Sequence, residues 1–282
     1  MARTWKRATA FMAAFTATAL SLLAEQGHAE ASKGISPRTT VAKVVGNALV
    51  IEAAQGKNNR ITVERIPGVG GPFGFNRYLV TDSGDTVSQS EFTSTREHPI
   101  EAINILAGDG QDVVNCAKAG SVRLYIGGGD GVDVLGGGDA ADVISGGPGN
   151  DTLGGGNGSD TLDGAGGNDT IYGHAGRDHV FGGAGSDWVT GGYYAGSSLR
   201  DGDSNFVAGG PGDDTLQGDR GAETLEGDDG DDVLEGHGGV DDVRGNAGND
   251  TLYGIDDNMN GGLGYDRCGR SPQRAECEAF AP

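Results

Sequence analysis

Catalytic signatures are what this chain most conspicuously lacks. It contains no G-x-S-x-G nucleophile elbow, no H-E-x-x-H metal pair and no Walker A phosphate loop, which removes the commonest sequence marks of hydrolases and nucleotide-handling enzymes. His98, His174, His179 and His237 are scattered singly, and lone histidines on turns are more often solvated than catalytic. Lysine is absent from residues 128–253. No basic stripe is left to bind nucleic acid, and no nucleic-acid partner is expected. Long apolar runs are missing as well: the stretch at 8–24 falls short of the eighteen or more residues a membrane helix needs, so no membrane span is expected. Cysteine is scarce, at three residues, and aromatics make up 6% of the chain, too few to dominate a large core.

Glycine and acid fill the space. Of 282 residues 55 are Gly, and the formal net charge is −21. Residues 128–253 hold twenty-five Asp and Glu against four Arg, so this block alone carries −21 and the remainder is balanced. Such a block repels itself and stays expanded without counter-ions. It is also periodic. A phrase Gly-Gly-x-Gly-x-Asp-x-hydrophobe-x recurs in units starting at Gly128, Gly137, Gly146, Gly155, Gly164, Gly173, Gly182, Gly191, Arg200, Gly209, Gly218, Gly227, Gly236 and Gly245, an unbroken frame of fourteen. Its sixth position holds Asp133, Asp142, Asp151, Asp160, Asp169, Asp178, Asp187, Gly196, Asn205, Asp214, Glu223, Asp232, Asp241 and Asp250. The eighth is aliphatic throughout except at Ser198. Repeated glycines permit the positive φ angles of turns, while Val, Ile, Leu and Thr favour extended backbone, so each unit reads as a six-residue turn and a three-residue strand.

This nonapeptide resembles the RTX, or hemolysin-type, calcium-binding repeat, and the likeness covers nearly half the chain. The resemblance implies an all-β fold: a parallel β-roll, a β-solenoid in which two units make one coil, with a small N-terminal β-rich cap. Residues eighteen apart would then stack at roughly the 4.8 Å strand spacing. Two acidic ladders are expected. One runs Asp133, Asp151, Asp169, Asp187, Asn205, Glu223, Asp241; the other runs Asp142, Asp160, Asp178, Gly196, Asp214, Asp232, Asp250. Calcium takes six to eight oxygens, which stacked turns can supply as carboxylates and bared carbonyls. Asp133, Asp142, Asp151, Asp160, Asp169, Asp178, Asp187, Asp214, Asp232, Asp241 and Asp250 are therefore the expected metal ligands, and Asp–Asp pairs along the ladders imply about seven calcium ions. Glu223/Asp241 is a weaker pair because Glu is longer. The bland alternative, a merely solubilising acidic surface, does not explain why acid holds the sixth place of a nine-residue frame.

The flanks fit an exported protein. Residues 1–31 have a basic start (Arg3, Lys6, Arg7), an apolar stretch and small residues at Ala29 and Ala31, which reads as a secretory signal peptide rather than an anchor. A secreted, extracellular location supplies calcium and permits disulfides. Cys268 and Cys277 lie close enough in the tail to close a short loop, although Cys116 could pair with either. Residues 32–106 read as a β-rich cap or small domain with candidate strands at 41–45, 48–52, 60–65, 77–81 and 102–106. Residues 107–253 read as the calcium-binding roll, with the regular array at 128–253, entered by one nonapeptide-like segment that offers Asp112 and Val114. Residues 254–282 read as a capping segment that holds one near-copy ending at Asp266.

Three weaker signals complete the reading. Gly191 to Ala208 keep phase but lose ligands, and Asp201, Asp203 and Asn205 imitate the start of an EF-hand loop without its glycine or terminal glutamate. In the frame, Trp188 and Phe206 occupy one outward position a coil apart, near Tyr172, His179, Phe181, Tyr193 and Tyr194. That group is either a glycan or cell-surface partner site or simple packing over the ligand-poor coil, and packing is the favoured reading. The functional expectation is a secreted calcium-binding repeat protein, not an enzyme, in which calcium drives folding and the roll has a structural or binding role. Its rivals are a small hydrolase sited in residues 39–115 and an adhesin that uses the roll as a spacer.

Overall fold

The computed structural model describes residues 39–66, 76–83, 91–95, 99–192, 203–254, 258–269 and 275–276. The expected leader at 1–31 lies outside them. Among the described residues the chain is all β, and no helix is long and apolar enough to cross a membrane.

Five strands open the fold: β1 (Val41–Val45), β2 (Ala48–Glu52), β3 (Arg60–Ile66), β4 (Arg77–Asp82) and β5 (Glu91–Thr93). β1 and β2 form an antiparallel hairpin whose two-residue loop begins at Gly46, with φ 57°. β3, β4 and β5 form an antiparallel meander. The chain then coils through β6 (Ala102–Leu106), β7 (Val113–Lys118), β8 (Arg123–Gly127), β9 (Val134–Gly136), β10 (Val143–Pro148), β11 (Thr152–Asn157), β12 (Thr161–Gly166), β13 (Thr170–Ala175), β14 (His179–Ala184) and β15 (Trp188–Thr190). It continues through β16 (Phe206–Pro211), β17 (Thr215–Gln217), β18 (Thr224–Asp229), β19 (Val233–Glu235), β20 (Asp242–Ala247), β21 (Thr251–Tyr253), β22 (Asn258–Leu263), β23 (Arg267–Gly269) and β24 (Ala275–Glu276).

Alternate strands fall into two twelve-stranded sheets, which makes the fold a parallel β-solenoid of the β-roll kind. From β6 onward every pairing is parallel. The cap joins the coils directly, since β2 pairs parallel with β6 and β3 with β7. Hairpin and meander thus sit on the outer edges of β2 and β3, where antiparallel pairing ends the stack and covers its open hydrogen-bonding edges.

The strands of the repeat each point one apolar side chain inward, whereas β2, β3, β6 and β8 each place two in the core. On the first sheet the column runs Ile51, Ile105, Ile126, Ile144, Leu162, Val180, Val207, Leu225, Val243, Met259. On the second it runs Ile61, Val114, Leu135, Leu153, Ile171, Val189, Leu216, Leu234, Leu252, Cys268. These belong to a single buried cluster that continues into the cap. Each fully buried Val, Leu or Ile contributes roughly 1.5–3 kcal/mol, but only one is available per nine residues, so the core is thin. Cys116 is buried and free, whereas Cys268 is disulfide-bonded and Cys277 lies outside the described residues.

Within the regular array, residues 128–253, the register breaks once. Most coils pair residues eighteen apart, as Leu153 with Ile171. Between β14 and β16, and between β15 and β17, partners stand twenty-seven apart: Val180 with Val207, Val189 with Leu216. One nonapeptide is therefore surplus to the coil between Thr190 and Phe206, and the frame of fourteen units is not fourteen stacked half-coils. Gly196, Ser198 and Asp201 lie outside the described residues.

Candidate metal centres

The turns owe their shape to glycine at two places. At the unit's first position, a Cβ on Gly146 would meet Asp151 Oδ2 at 2.3 Å and the Gly164 carbonyl oxygen at 2.9 Å. At the fourth, Gly149 has φ +148°, and a Cβ there would lie 1.3 Å from the Gly131 carbonyl oxygen. Space that a side chain would fill is bounded instead by backbone carbonyl and carboxylate oxygens.

Carboxylates stack in two ladders along the two rows of turns. In the first, the backbone N–H of each acid donates to Oδ1 of the acid one coil on: Asp112 to Asp133, then Asp151, Asp169, Asp187, Asp214, Asp232, Asp250 and Asp266, at 2.7–3.0 Å. In the second, Leu124 N–H donates to Asp142, followed by Asp160, Asp178 and Asn205, at 2.8–2.9 Å. Glu223 N–H donates to Asp241 Oδ1 at 2.9 Å. The second ladder is thus Asp142, Asp160, Asp178, Asn205, Glu223, Asp241. Except for Asp266, all of these ladder acids and Asn205 are at most 3% exposed.

This assignment corrects two expectations. Asp187 is followed by Asp214, not by Asn205, and Asp178 is followed by Asn205, not by Gly196. The surplus nonapeptide shifts every later unit to the opposite row. Trp188 and Phe206 are likewise not neighbours on one face: Trp188 pairs with Thr170 and Thr215 on the second sheet, Phe206 with His179 and Thr224 on the first. Each belongs to its own small aromatic group. Tyr172 meets Trp188 edge-on at 5.2 Å and stacks with His174 at 5.6 Å, while Phe206 contacts Phe181 at 5.8 Å and His179 at 6.1 Å. In the EF-hand-like run, Asn205 Oδ1 accepts from Asp178 N–H, and Asp201 lies outside the described residues. Tyr193 and Tyr194 lie outside the described residues.

The second carboxylate oxygen is what the protein leaves unanswered. Oδ2 of Asp112, Asp133, Asp151, Asp160, Asp169, Asp187, Asp214, Asp232, Asp250 and Asp266 is buried without a hydrogen-bond partner. An unpaired buried carboxylate is costly, and the group responds by holding its proton or by taking a cation. Burial, partly offset by the ladder N–H bond, pushes Asp142, Asp151, Asp187 and Asp250 up to about 6, Asp160, Asp169 and Asp232 to about 7, and Asp214 to about 8. Burial also raises Asp133.

Where the first ladder begins, an amide stands in for whatever the other turns hold. Asn59 occupies the acid's place in the coil before Asp112. Its Nδ2 is surrounded by the carbonyl oxygens of Ala54, Lys57 and Ala107 and by Asp112 Oδ1, at 3.0–3.1 Å. Four oxygens thus converge on one electropositive centre. In the corresponding turns with Asp in place of Asn59 no side-chain amide takes that place, and the carboxylate's Oδ2 is buried without a donor, which fits a hard divalent cation with mixed carboxylate and carbonyl ligation. Among the described residues no group of three or more His, Cys, Asp or Glu side chains is suited to a metal, so backbone carbonyls must complete any such shell.

An outer ladder went unread in the sequence. At the fifth position, next to the first row of acids, Asn150 Oδ1 accepts from Asn168 N–H, Asn168 Oδ1 from Ser186 N–H, Asp213 Oδ1 from Asp231 N–H, Asp231 Oδ1 from Asn249 N–H and Asn249 Oδ1 from Tyr265 N–H. Its signal was Asn or Asp at the fifth position on that row, at Asn150, Asn168, Asp213, Asp231 and Asn249, with Val132 and Ser186 as exceptions. Asn58, accepting from Gln111 N–H, carries the same ladder into the cap.

Comparison with known proteins agrees with this geometry. The family model described as RTX calcium-binding nonapeptide repeat (4 copies) matches residues 127–162, 163–192, 201–234, 217–252 and 235–268. The matches part between 192 and 201, where the register breaks. No curated protein matches the chain.

Proposed function

We propose, from the premise that residues 127–268 are RTX calcium-binding nonapeptide repeats in a β-roll, that calcium drives the folding of this block in a secreted protein whose role is structural or binding rather than catalytic. One observation carries the reading: a file of buried carboxylate oxygens, each facing bared carbonyls, with no protein donor to satisfy it. Calcium there would supply the missing positive charge, and its binding energy, available only to the stacked turns, becomes folding energy.

Each Asp–Asp step is a candidate position. Eight lie along the first ladder, from Asp112/Asp133 to Asp250/Asp266, and two along the second, Asp142/Asp160 and Asp160/Asp178. Asp187/Asp214 is available only because the register shifts. Ten divalent ions would nearly balance the −21 of residues 128–253. Secretion is supported by the leader-like residues 1–31 and by the match between extracellular calcium and the roughly 10⁻⁴–10⁻³ M affinities of extracellular modules.

Circular dichroism of the mature chain tests the reading. Near pH 8 the strand signal should vanish in EDTA and return on calcium addition. A signal indifferent to chelation would refute calcium-driven folding.

A further inference from the structure

The second ladder contains one step unlike the rest. Between Asn205 and Glu223 the usual bond from backbone N–H to the next carboxylate is replaced. Glu223, one methylene longer than Asp, turns aside, and its Oε2 accepts from Asp219 N–H at 3.4 Å. Its Oε1 is buried without a hydrogen-bond partner in a residue only 2% exposed. A Cβ on Gly221 would lie 2.4 Å from that Oε1 and 2.1 Å from the Asp203 carbonyl oxygen, so both oxygens border the same small space.

Asp219 brings a second carboxylate. It occupies the unit's second position, where Ala165, His174, Asp228, His237 and Asn246 are all left-handed, with φ between 67° and 76°. Asp219 is not left-handed. This different backbone turns its Oδ1 onto the Arg220 and Gly221 N–H groups, while Oδ2 meets Asn205 Nδ2 only at 3.4 Å. Asn205 Nδ2 also reaches the Asp203 carbonyl only at 3.4 Å. Asn59 Nδ2 holds four oxygens at 3.0–3.1 Å, whereas Asn205 Nδ2 reaches two, at 3.4 Å, and neither is Glu223 Oε1.

We propose that Asp219, Glu223 and the Asp203 carbonyl form a separate site for a hard divalent cation of the calcium class, seated at the register break. It is not a step of the repeat, because its defining carboxylate stands where the nonapeptide has its second glycine. Two carboxylates and a carbonyl supply part of a calcium shell, and water can complete it. Such an ion would close the second ladder where the surplus nonapeptide leaves it without an Asp–Asp pair.

Native mass spectrometry of the calcium-loaded mature chain reads the ion count. Asp219→Asn should hold one ion fewer than wild type, and Gly221→Ala, which fills the space without changing charge, should also lose one. Equal counts in all three proteins would overturn the site. Should a variant not fold, wild-type crystals grown in calcium give the same decision: an anomalous peak beside Glu223 Oε1 is expected, and peaks along the ladders with none there would overturn the proposal. A wild type that holds a single ion, lost in Asp219→Asn, would keep this site and sink the calcium ladders.

Discussion

The two rows of turns are written in the same nine-residue phrase yet differ in continuity. The first carries nine consecutive aspartates from Asp112 to Asp266, flanked by the outer Asn and Asp ladder. The second carries three, then Asn205, Glu223 and Asp241, with no matching outer ladder at Ser159, Arg177 or Ala222. The difference arises from parity. Two units make a coil, so one surplus unit leaves the nine-residue phase intact but exchanges the rows for everything that follows. Asp214, Asp232 and Asp250 thereby extend the strong row, and the weak residues collect on the other. Continuity of a ligand ladder is thus decided by an even or odd count of units, which the nine-residue frame does not reveal.

Paired substitutions in the two rows just before the break test that exchange most sharply. Asp187 belongs to two Asp–Asp steps, with Asp169 and with Asp214, whereas Asp178 belongs to one, with Asp160. Asp187→Ala should therefore lose two ions and Asp178→Ala one. At calcium tenfold above Kd each ion contributes about 1.4 kcal/mol, so the expected losses are about 3 and about 1.4 kcal/mol. Denaturant unfolding with ion counting at saturating calcium checks this. Equal losses would mean that Asp187 faces Asn205 after all and that the rows do not exchange.

Acid separates the metal-free chain from the calcium-bound one. The raised carboxyls give the metal-free fold more bound protons than the unfolded chain, whose Asp pKa is near 3.9, about the ordinary value. Their contribution is fully present below that pH and disappears as pH rises through about 6 for Asp151, about 7 for Asp169 and about 8 for Asp214. In EDTA the strand signal should therefore be strongest at about pH 4 and fall progressively by pH 8. Calcium should reverse the trend, since it binds the ionised form. A metal-free signal that is flat across that interval would contradict the burial assigned to these groups.

Much of this architecture was legible because periodicity survives in side chains. The column of Leu153, Ile171 and Val189 and the acids before them follow directly from a nine-residue frame, and alternation in 41–45, 48–52, 60–65, 77–81 and 102–106 locates five of the six strands up to β6. β5, three residues long, offered too short a pattern. What stayed hidden was degenerate or parity-dependent. Asn59 and Ile61 complete a coil whose glycines have almost gone, leaving Gly56 alone among Ala54, Gln55, Lys57 and Asn58. The surplus unit keeps Gly191 and Val207 in phase, so only strand pairing exposes it. Asp219 gave no signal because a single residue at a normally permissive turn position looks like drift until its carboxylate is placed beside Glu223.

The outer ladder offers the finest comparison between the rows. Asn168 Oδ1 accepts from Ser186 N–H at 3.0 Å, and the same residue's N–H donates to Asn150. These groups are exposed, so water replaces them when they are lost, and Asn168→Ala should cost about 0.5–1 kcal/mol, the net value of one hydrogen bond. Ser159 holds the same motif position on the other row, is exposed, and carries no such ladder bond, so Ser159→Ala should stay within about 0.5 kcal/mol of wild type. Guanidinium unfolding at saturating calcium resolves the two. If both variants lose equally, the fifth-position ladder is decoration, and the firmness of the first row rests on its inner aspartates alone.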